Sequence, residues 1–215
     1  MSKRISFLAA AIAAMAAAGA TEAKADAFNG LYVGAHTGYT FGDVDQPYGA
    51  VGGPFSSTQA SADLDGWLYG VQGGYNFQAG HWAFGGELQA TWGDREGDDG
   101  GSGGDVNGVE INQEWSLRGR AGYVFGENFW LYGAAGYVSM DVDATAPLQS
   151  DNESIEGWTY GIGAELALSE RISIAAEVRA DEMEQTRFSF PLEGYDEGLT
   201  PDTTSVRVSF NWHPF

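Results

Sequence analysis

Apolar side chains fall on every second residue along most of this chain, the period of an extended strand with one greasy face. In segment 31–41 the odd positions are Leu31, Val33, Ala35, Thr37, Tyr39 and Phe41, with Tyr32, Gly34, His36, Gly38 and Thr40 between them. Seven more runs follow. Trp67, Tyr69, Val71, Tyr75 and Phe77 alternate with Gly70, Gln72, Gly74 and Asn76. Trp82, Phe84, Leu88, Ala90 and Trp92 alternate with Gly85, Glu87, Gln89 and Thr91. Ile111, Trp115, Leu117, Ala121, Tyr123 and Phe125 stand against Glu114, Ser116, Arg118, Arg120 and Gly122. The fifth run sets Trp130, Tyr132, Ala134, Val138, Met140 and Val142 against Gly133, Ala135, Tyr137, Ser139 and Asp141. The sixth sets Trp158, Tyr160, Ile162, Ala164, Leu166 and Leu168 against Thr159, Gly161, Gly163, Glu165 and Ala167. Ile172, Ile174, Ala176 and Val178 then oppose Ser173, Ala175, Glu177, Arg179 and Asp181, and Val206, Val208, Phe210 and Trp212 oppose Ser205, Arg207, Ser209 and Asn211. Eight such runs predict eight strands.

A soluble sandwich would alternate too, and so would a lipocalin-type carrier with its aliphatic face turned inward. Three details favour a barrel in a membrane. The apolar parity is almost free of charge, whereas the other carries Glu, Gln and Arg within the strands. Aromatic residues gather at the ends of the apolar stripe, as at Trp67, Phe77, Trp82, Trp92, Phe125, Trp130, Trp158 and Trp212, where a strand would cross each membrane–water boundary. Connections alternate in length: short turns at 78–81, 126–128 and 169–171, and long acidic loops at 42–65, 93–110, 143–157 and 182–203. A sheet in hydrocarbon must have no unpaired edge, so these strands are expected to close into an eight-stranded antiparallel up-and-down transmembrane β-barrel. At eight strands the interior is just filled by side chains.

Residues 1–25 read as a cleaved signal peptide, leaving a barrel domain at 26–215. Lys3 and Arg4 precede an apolar run, 5–18, too short to span a bilayer, and Ala23-Lys24-Ala25 gives a small-x-small cleavage site. Removing a leader that holds Lys3, Arg4, Lys24 and Glu22 leaves 7 basic and 29 acidic residues, a formal charge of −22. Every remaining basic residue is Arg. Such a chain repels phosphate, which excludes nucleic acid as a partner. The absence of Cys excludes disulfides and thiolate chemistry, and the absence of Lys after position 24 excludes a Schiff base.

The polar parity supplies the candidate site. Glu87, Glu114, Asp141, Glu165 and Glu177 should face Arg118, Arg120, Arg179 and Arg207 across the lumen, with inward glycines leaving room for the Arg side chains. Interior charge in a small barrel must be paired, so this set reads as a structural network that closes the lumen. Gly100–Asp105, after Asp98 and Asp99, partly matches a Gly/Asp calcium repeat, but one copy cannot stack and Asn107 stands where an apolar residue belongs. His36, His81 and His213 form no ligand set, and no nucleophile with a base in reach can be placed.

The segments 28–35 (FNGLYVGA), 157–165 (GWTYGIGAE), 176–179 (AEVR) and 206–212 (VRVSFNW) resemble strands of the small outer-membrane β-barrel proteins of α-proteobacteria, the surface-antigen and haemin-binding porin-like group. The resemblance implies an eight-stranded barrel related in architecture to the OmpA membrane domain, a bacterial outer-membrane location and a role at the envelope surface. It also makes haemin a conceivable ligand, through His36 or Tyr48. The final strand of this group carries its assembly signal, here Phe210, Trp212 and Phe215, although Phe215 follows Pro214 and is out of phase with the even stripe by one residue. The resulting expectation is a non-enzymatic barrel with an envelope-structural or surface-interaction role. Its partners would be outer-membrane lipid, lipopolysaccharide and the barrel-assembly machinery, with the extracellular partner unknown. A narrow porin-like channel and a haemin-binding surface protein are the alternatives.

Overall fold

A computed structural model describes residues 27–54, 59–98, 108–145, 148, 150–192 and 194–214. Residues 1–26, where the signal peptide is expected, the Gly-rich segment from 99 to 107 and Phe215 lie outside the described residues. Nine strands follow in chain order: β1 (Gly30–Ala50), β2 (Gln59–Ala79), β3 (Trp82–Asp98), β4 (Gly108–Phe125), β5 (Phe129–Thr145), β6 (Ser150–Ala167), β7 (Ile172–Met183), β8 (Thr186–Phe190) and β9 (Tyr195–Trp212). Eight of them close an antiparallel barrel. Each of β1 to β6 pairs with the next in sequence, β7 pairs with β9, and β9 returns to β1. The short β8 pairs only with the upper part of β9 and forms a hairpin above the end of β7.

The turns at one end are short. Gly80 lies in the two-residue connection between β2 and β3 at φ 62°. A two-residue hairpin needs positive φ at its first central position, which glycine supplies without strain.

Below one level the barrel wall is inverted relative to a soluble protein. Leu31, Val33, Val71, Leu88, Leu117, Ile162, Val208 and Phe210 all face outward and are exposed, whereas the ionic side chains on the opposite parity are buried. Outward aromatics bound this region: Tyr39, Trp67, Tyr69, Trp115, Tyr137 and Trp158 above, and Tyr75, Phe77, Trp82, Tyr123, Phe125 and Trp212 below. Ten residues separate Trp67 from Phe77 on β2. At ~3.3 Å per residue and a tilt of ~40° they span roughly 25 Å, the height of the apolar band of an outer-membrane barrel.

Above the upper aromatic ring the strands continue and the two faces exchange chemistry. The acidic loops expected at 42–65, 93–110, 143–157 and 182–203 are largely strand. β1 and β2 stay paired as far as Pro47 and Gln59, and β5 and β6 as far as Thr145 and Ser150. Here Asp43, Asp63, Asp65, Asp94, Glu156, Glu182 and Asp202 face out. Leu64, Ile111, Val138, Met140, Val142, Ile155, Met183, Phe188, Phe190 and Leu199 pack together inside. The physical cause is the change of solvent. In lipid the greasy parity is stable outside, and in water it is stable only inside.

Two expectations of side-chain direction are corrected. Ile111 faces inward because the β3–β4 and β4–β5 registers shift at Trp92/Arg95 and Ile111/Gln113, and a bulge flips parity along the strand. On β5 the assignment is reversed. Trp130, Tyr132, Ala134, Val138, Met140 and Val142 point inward, and Leu131, Ala135 and Tyr137 point outward. The even residues of β5 fill the two apolar ends of the lumen, so both faces of this strand are apolar and the usual contrast between them is lost.

Inward glycines do make room, Gly38 for the Arg207 side chain, which a Cβ there would meet at 3.2 Å, and three others for rings. A Cβ on Gly163 would lie 2.5 Å from the Tyr132 ring, one on Gly74 2.7 Å from the Tyr32 hydroxyl and one on Gly70 2.5 Å from the His36 ring. Gly163→Ala should therefore destabilise the barrel by about 1–3 kcal/mol through overpacking. Gly86→Ala, on the lipid side with open space around its Cβ, should be neutral or slightly stabilising. Urea midpoints of the two variants refolded in lipid vesicles will separate them.

Candidate functional site

Strands β3, β4, β6, β7 and β9 turn their polar parity to a common axis, and the ionic groups meet there in two layers. In the lower layer, Glu87 accepts from Arg118 Nη2 at 2.5 Å, Arg120 Nη1 at 3.2 Å and the Tyr32 hydroxyl at 2.6 Å. Arg118 Nη1 donates to Glu177 at 2.5 Å, whose other oxygen accepts from the Tyr132 hydroxyl at 3.0 Å. Arg120 Nη2 donates to Glu165 at 2.5 Å. The other Glu165 oxygen accepts from Ser173 and Asn211. In the upper layer Glu114 lies among three guanidinium groups, Arg95 at 2.7 Å, Arg179 at 2.8 Å and Arg207 at 3.1 Å. Arg179 also donates through Nε to Asp181 at 2.7 Å. Gln89 joins the layers, donating to Glu87 and accepting from Arg179 and Arg207.

These groups are all buried. Five Arg (95, 118, 120, 179 and 207) balance five carboxylates (87, 114, 165, 177 and 181), so this two-layer ionic core is neutral among the described residues. Neutrality matters in a low-dielectric interior, where an unmatched charge costs several kcal/mol. Arg suits the task because its planar fork reaches two carboxylates at once, as Arg118 and Arg120 do here.

The structure brings together eight of the nine residues expected in the network: Glu87, Glu114, Arg118, Arg120, Glu165, Glu177, Arg179 and Arg207. Asp141 is the exception. It lies on the outward parity of β5 and accepts from Ser154 at 2.8 Å on the outer surface. Its place is taken by Asp181, which shares a strand face with Arg179, while Arg95 shares one with Glu87. Parity alone could have found both. The tyrosines Tyr32 and Tyr132 carry no such signal: Tyr32 on the inward parity reads as packing, and Tyr132 falls on the parity expected to face outward. Of the residues expected to signal assembly, Phe210 and Trp212 face outward on β9.

Each end of the ionic core is stoppered by apolar side chains. Below, Phe28, Ala83, Val124, Trp130, Tyr132, Ala134 and Ala167 form one cluster. The Arg120 guanidinium carbon lies 4.2 Å from the Tyr132 ring centre and 4.5 Å from that of Trp130. Above sits the apolar core beneath the β8–β9 hairpin. The void among His36, Gln89, Arg118, Arg207 and their neighbours holds about 10 Å³, room for roughly one water. His36 is buried, with its ring nitrogens engaged by Gln72 at 3.1 Å and Thr91 at 3.0 Å, so it presents no nitrogen to a ligand outside the barrel. The Tyr48 side chain lies outside the described residues.

The outer hairpins are tied together. Asp196 accepts from the Gly52 amide at 2.8 Å, Arg187 Nη1 at 2.9 Å and the Ser189 hydroxyl at 2.6 Å, and Arg187 Nη2 donates to the Gly53 carbonyl at 3.1 Å. The Ser189 amide donates to Asp151 at 2.9 Å. Hydrogen bonds from Ser189 and the Gly52 amide, with Arg187 alongside, hold the Asp196 carboxyl below its ordinary value. A lowered folded value means that the clamp contributes stability above the ordinary Asp pKa, about 4, and loses it as pH falls through the folded value. Amide protection at Gly52, followed by NMR from pH 6 downward, should decline below about pH 4. In Asp196→Asn it should already be reduced at pH 6 and lack that step.

Known proteins share this architecture. The outer membrane protein β-barrel domain family model matches residues 7–213. The chain is 29% identical to the 22 kDa outer membrane protein of Rhizobium leguminosarum, over 86% of this chain and 77% of the relative. It is also 29% identical to the 31 kDa outer-membrane immunogenic protein of Brucella melitensis, over 73% of this chain and 72% of the relative. Among solved structures, the outer membrane protein OprG from Pseudomonas aeruginosa superposes with a TM-score of 0.62 at 16% identity, covering 86% of this chain and 97% of that one. The outer membrane protease OmpT from Escherichia coli gives 0.50 at 8% identity, covering 86% and 97%; at such identities the likeness is one of fold alone. With its greasy wall between two aromatic rings and an ion-paired interior, this chain belongs to the outer-membrane β-barrel domain family and resides in the bacterial outer membrane.

Proposed function

We propose that this protein is a closed, non-conducting and non-enzymatic anchor that holds a rigid acidic hairpin surface outside the cell. The observation that carries the reading is the three-layer seal of the lumen: the Trp130 stopper, the neutral Arg–carboxylate core and the apolar core under β8. An ion entering from either side meets apolar side chains first and then a charge set that is already matched. The core carboxylates serve shape, since each is held by Arg and neutral donors and none is left to act as a base on a substrate. The wall binds lipid and lipopolysaccharide, residues 1–25 are removed on export, and the assembly machinery reads the outward stripe of β9 at Phe210 and Trp212.

The test is electrical. Full-length mature protein, refolded and inserted into planar bilayers, should give no unitary currents while still migrating as a compact species in SDS until boiled. Defined openings from heat-modifiable protein would overturn the reading in favour of a narrow channel.

A further inference from the structure

Three outer connections each carry an exposed aliphatic residue among their described positions, where turns ordinarily carry polar or small ones. Val51 is 50% exposed in the β1–β2 connection, Leu148 68% in the β5–β6 connection and Leu192 71% in the β8–β9 turn. Single exposed aliphatics are ordinary. Here, however, the three connections are joined. Val51 precedes Gly52, whose amide is held by Asp196. Leu192 is three residues beyond Ser189, which donates to both Asp196 and Asp151, and Leu148 is three residues before Asp151. These hydrogen bonds therefore link the three strand pairs whose connections carry Val51, Leu148 and Leu192.

The surroundings specify the charge of whatever docks there. No Lys follows Lys24, and five of the seven later Arg residues are buried in the lumen. Arg171 stands at the short turn before β7, at the opposite end of the barrel, and Arg187 is engaged by Asp196. The outer region instead carries exposed Asp45 and Glu153 on its strands and exposed Glu184 between β7 and β8. A cationic partner is drawn to such a surface at long range, whereas an anionic one is repelled. Apolar anchors at the tip would then supply the short-range burial that charge alone does not.

We propose that Val51, Leu148 and Leu192, held together by the Asp196 and Asp151 contacts, form an apolar docking tip for a cationic amphipathic polypeptide. The inference rests on the surface-interaction reading and specifies its partner. It is tested with the full mature chain in nanodiscs of zwitterionic phosphatidylcholine, which offer a cationic probe no anionic lipid. The probe is a fluorescent Leu/Lys amphipathic helix. The controls are the same composition scrambled so that no apolar face forms, and the Leu/Glu counterpart.

Anisotropy should show the amphipathic cation binding, more weakly as salt rises, and the Leu/Glu peptide not binding. The triple variant V51S/L148S/L192S, checked for heat-modifiability, should lose affinity by about tenfold or more. Equal binding of the scrambled cation, or unchanged affinity of the triple variant, would overturn the proposal by showing that charge alone suffices. Absence of binding to the unaltered protein would overturn it as well, yet leave the closed-anchor reading intact so long as the bilayers stay silent. Unitary currents would defeat that reading whatever the peptides do.

Discussion

Glu114→Leu should lower the unfolding free energy by about 3–5 kcal/mol, the cost of breaking a buried ion pair from one side. Glu114 is fully buried and lies within 3.1 Å of three guanidinium groups. Leu fills a similar volume, so the loss is electrostatic rather than steric. Without the carboxylate the ionic core carries one uncompensated positive charge. Arg179 retains Asp181, and Arg207 retains neutral contacts with Ser205, Thr91 and Gln89. Arg95 loses the ion pair that holds it.

That asymmetry sharpens the expectation. Arg95→Met alone should cost less than Glu114→Leu, because Glu114 keeps two Arg partners. Combining them restores neutrality, so the double variant should be more stable than Glu114→Leu by itself. Urea titrations in lipid vesicles, read by Trp fluorescence and compared at constant slope, supply the three midpoints. A double variant that merely sums the two losses would show that charge balance is not what holds the core.

What could be read from residues alone was the wall. Runs such as Leu31–Phe41 and Trp67–Phe77 mark a face that meets lipid, and their opposite parity marks the lumen. From these follow the strand count and the pairing of most core charges. β5 was opaque for a physical reason. Its inward residues Trp130, Tyr132, Val138 and Val142 belong to the two apolar stoppers, and its outward residues Leu131 and Tyr137 meet lipid, so hydrophobicity cannot tell its faces apart. That ambiguity sends the expected Asp141 to the wrong side of the wall.

The upper strands were hidden differently. Segment 42–65 looks like an acidic loop because its greasy positions are few, yet Asp43 and Asp63 sit directly opposite each other in a continuous ladder. Like charges facing one another across strands cost a few tenths of a kcal/mol or more, and burial on the far side, at Leu64 and its neighbours, together with the unbroken ladder from below, offsets that cost. The β4 bulge at Ile111/Gln113, which reverses parity close to the upper boundary, leaves no mark in composition.

Val142→Asp tests the exchange of faces most directly. In a barrel with a polar interior along its whole length, a new inward carboxylate could join the network. Val142 instead lies in the upper apolar core, opposite Ile111, and is fully buried. An Asp there meets aliphatic side chains, and burying its charge should cost more than about 3 kcal/mol. Thr145→Asp, three residues along on the outward parity and exposed, should stay within about 0.5 kcal/mol. The damage should be regional. Below the upper aromatic ring the lipid-facing wall and the Arg–carboxylate core do not depend on Val142, so the membrane-embedded half should survive. Limited digestion of refolded protein with a nonspecific protease should cut the outer hairpins of Val142→Asp many times faster than those of the unaltered protein. A compact, membrane-protected core should remain. Equal cutting rates for Val142→Asp and Thr145→Asp would mean that the upper barrel has no apolar interior to disrupt.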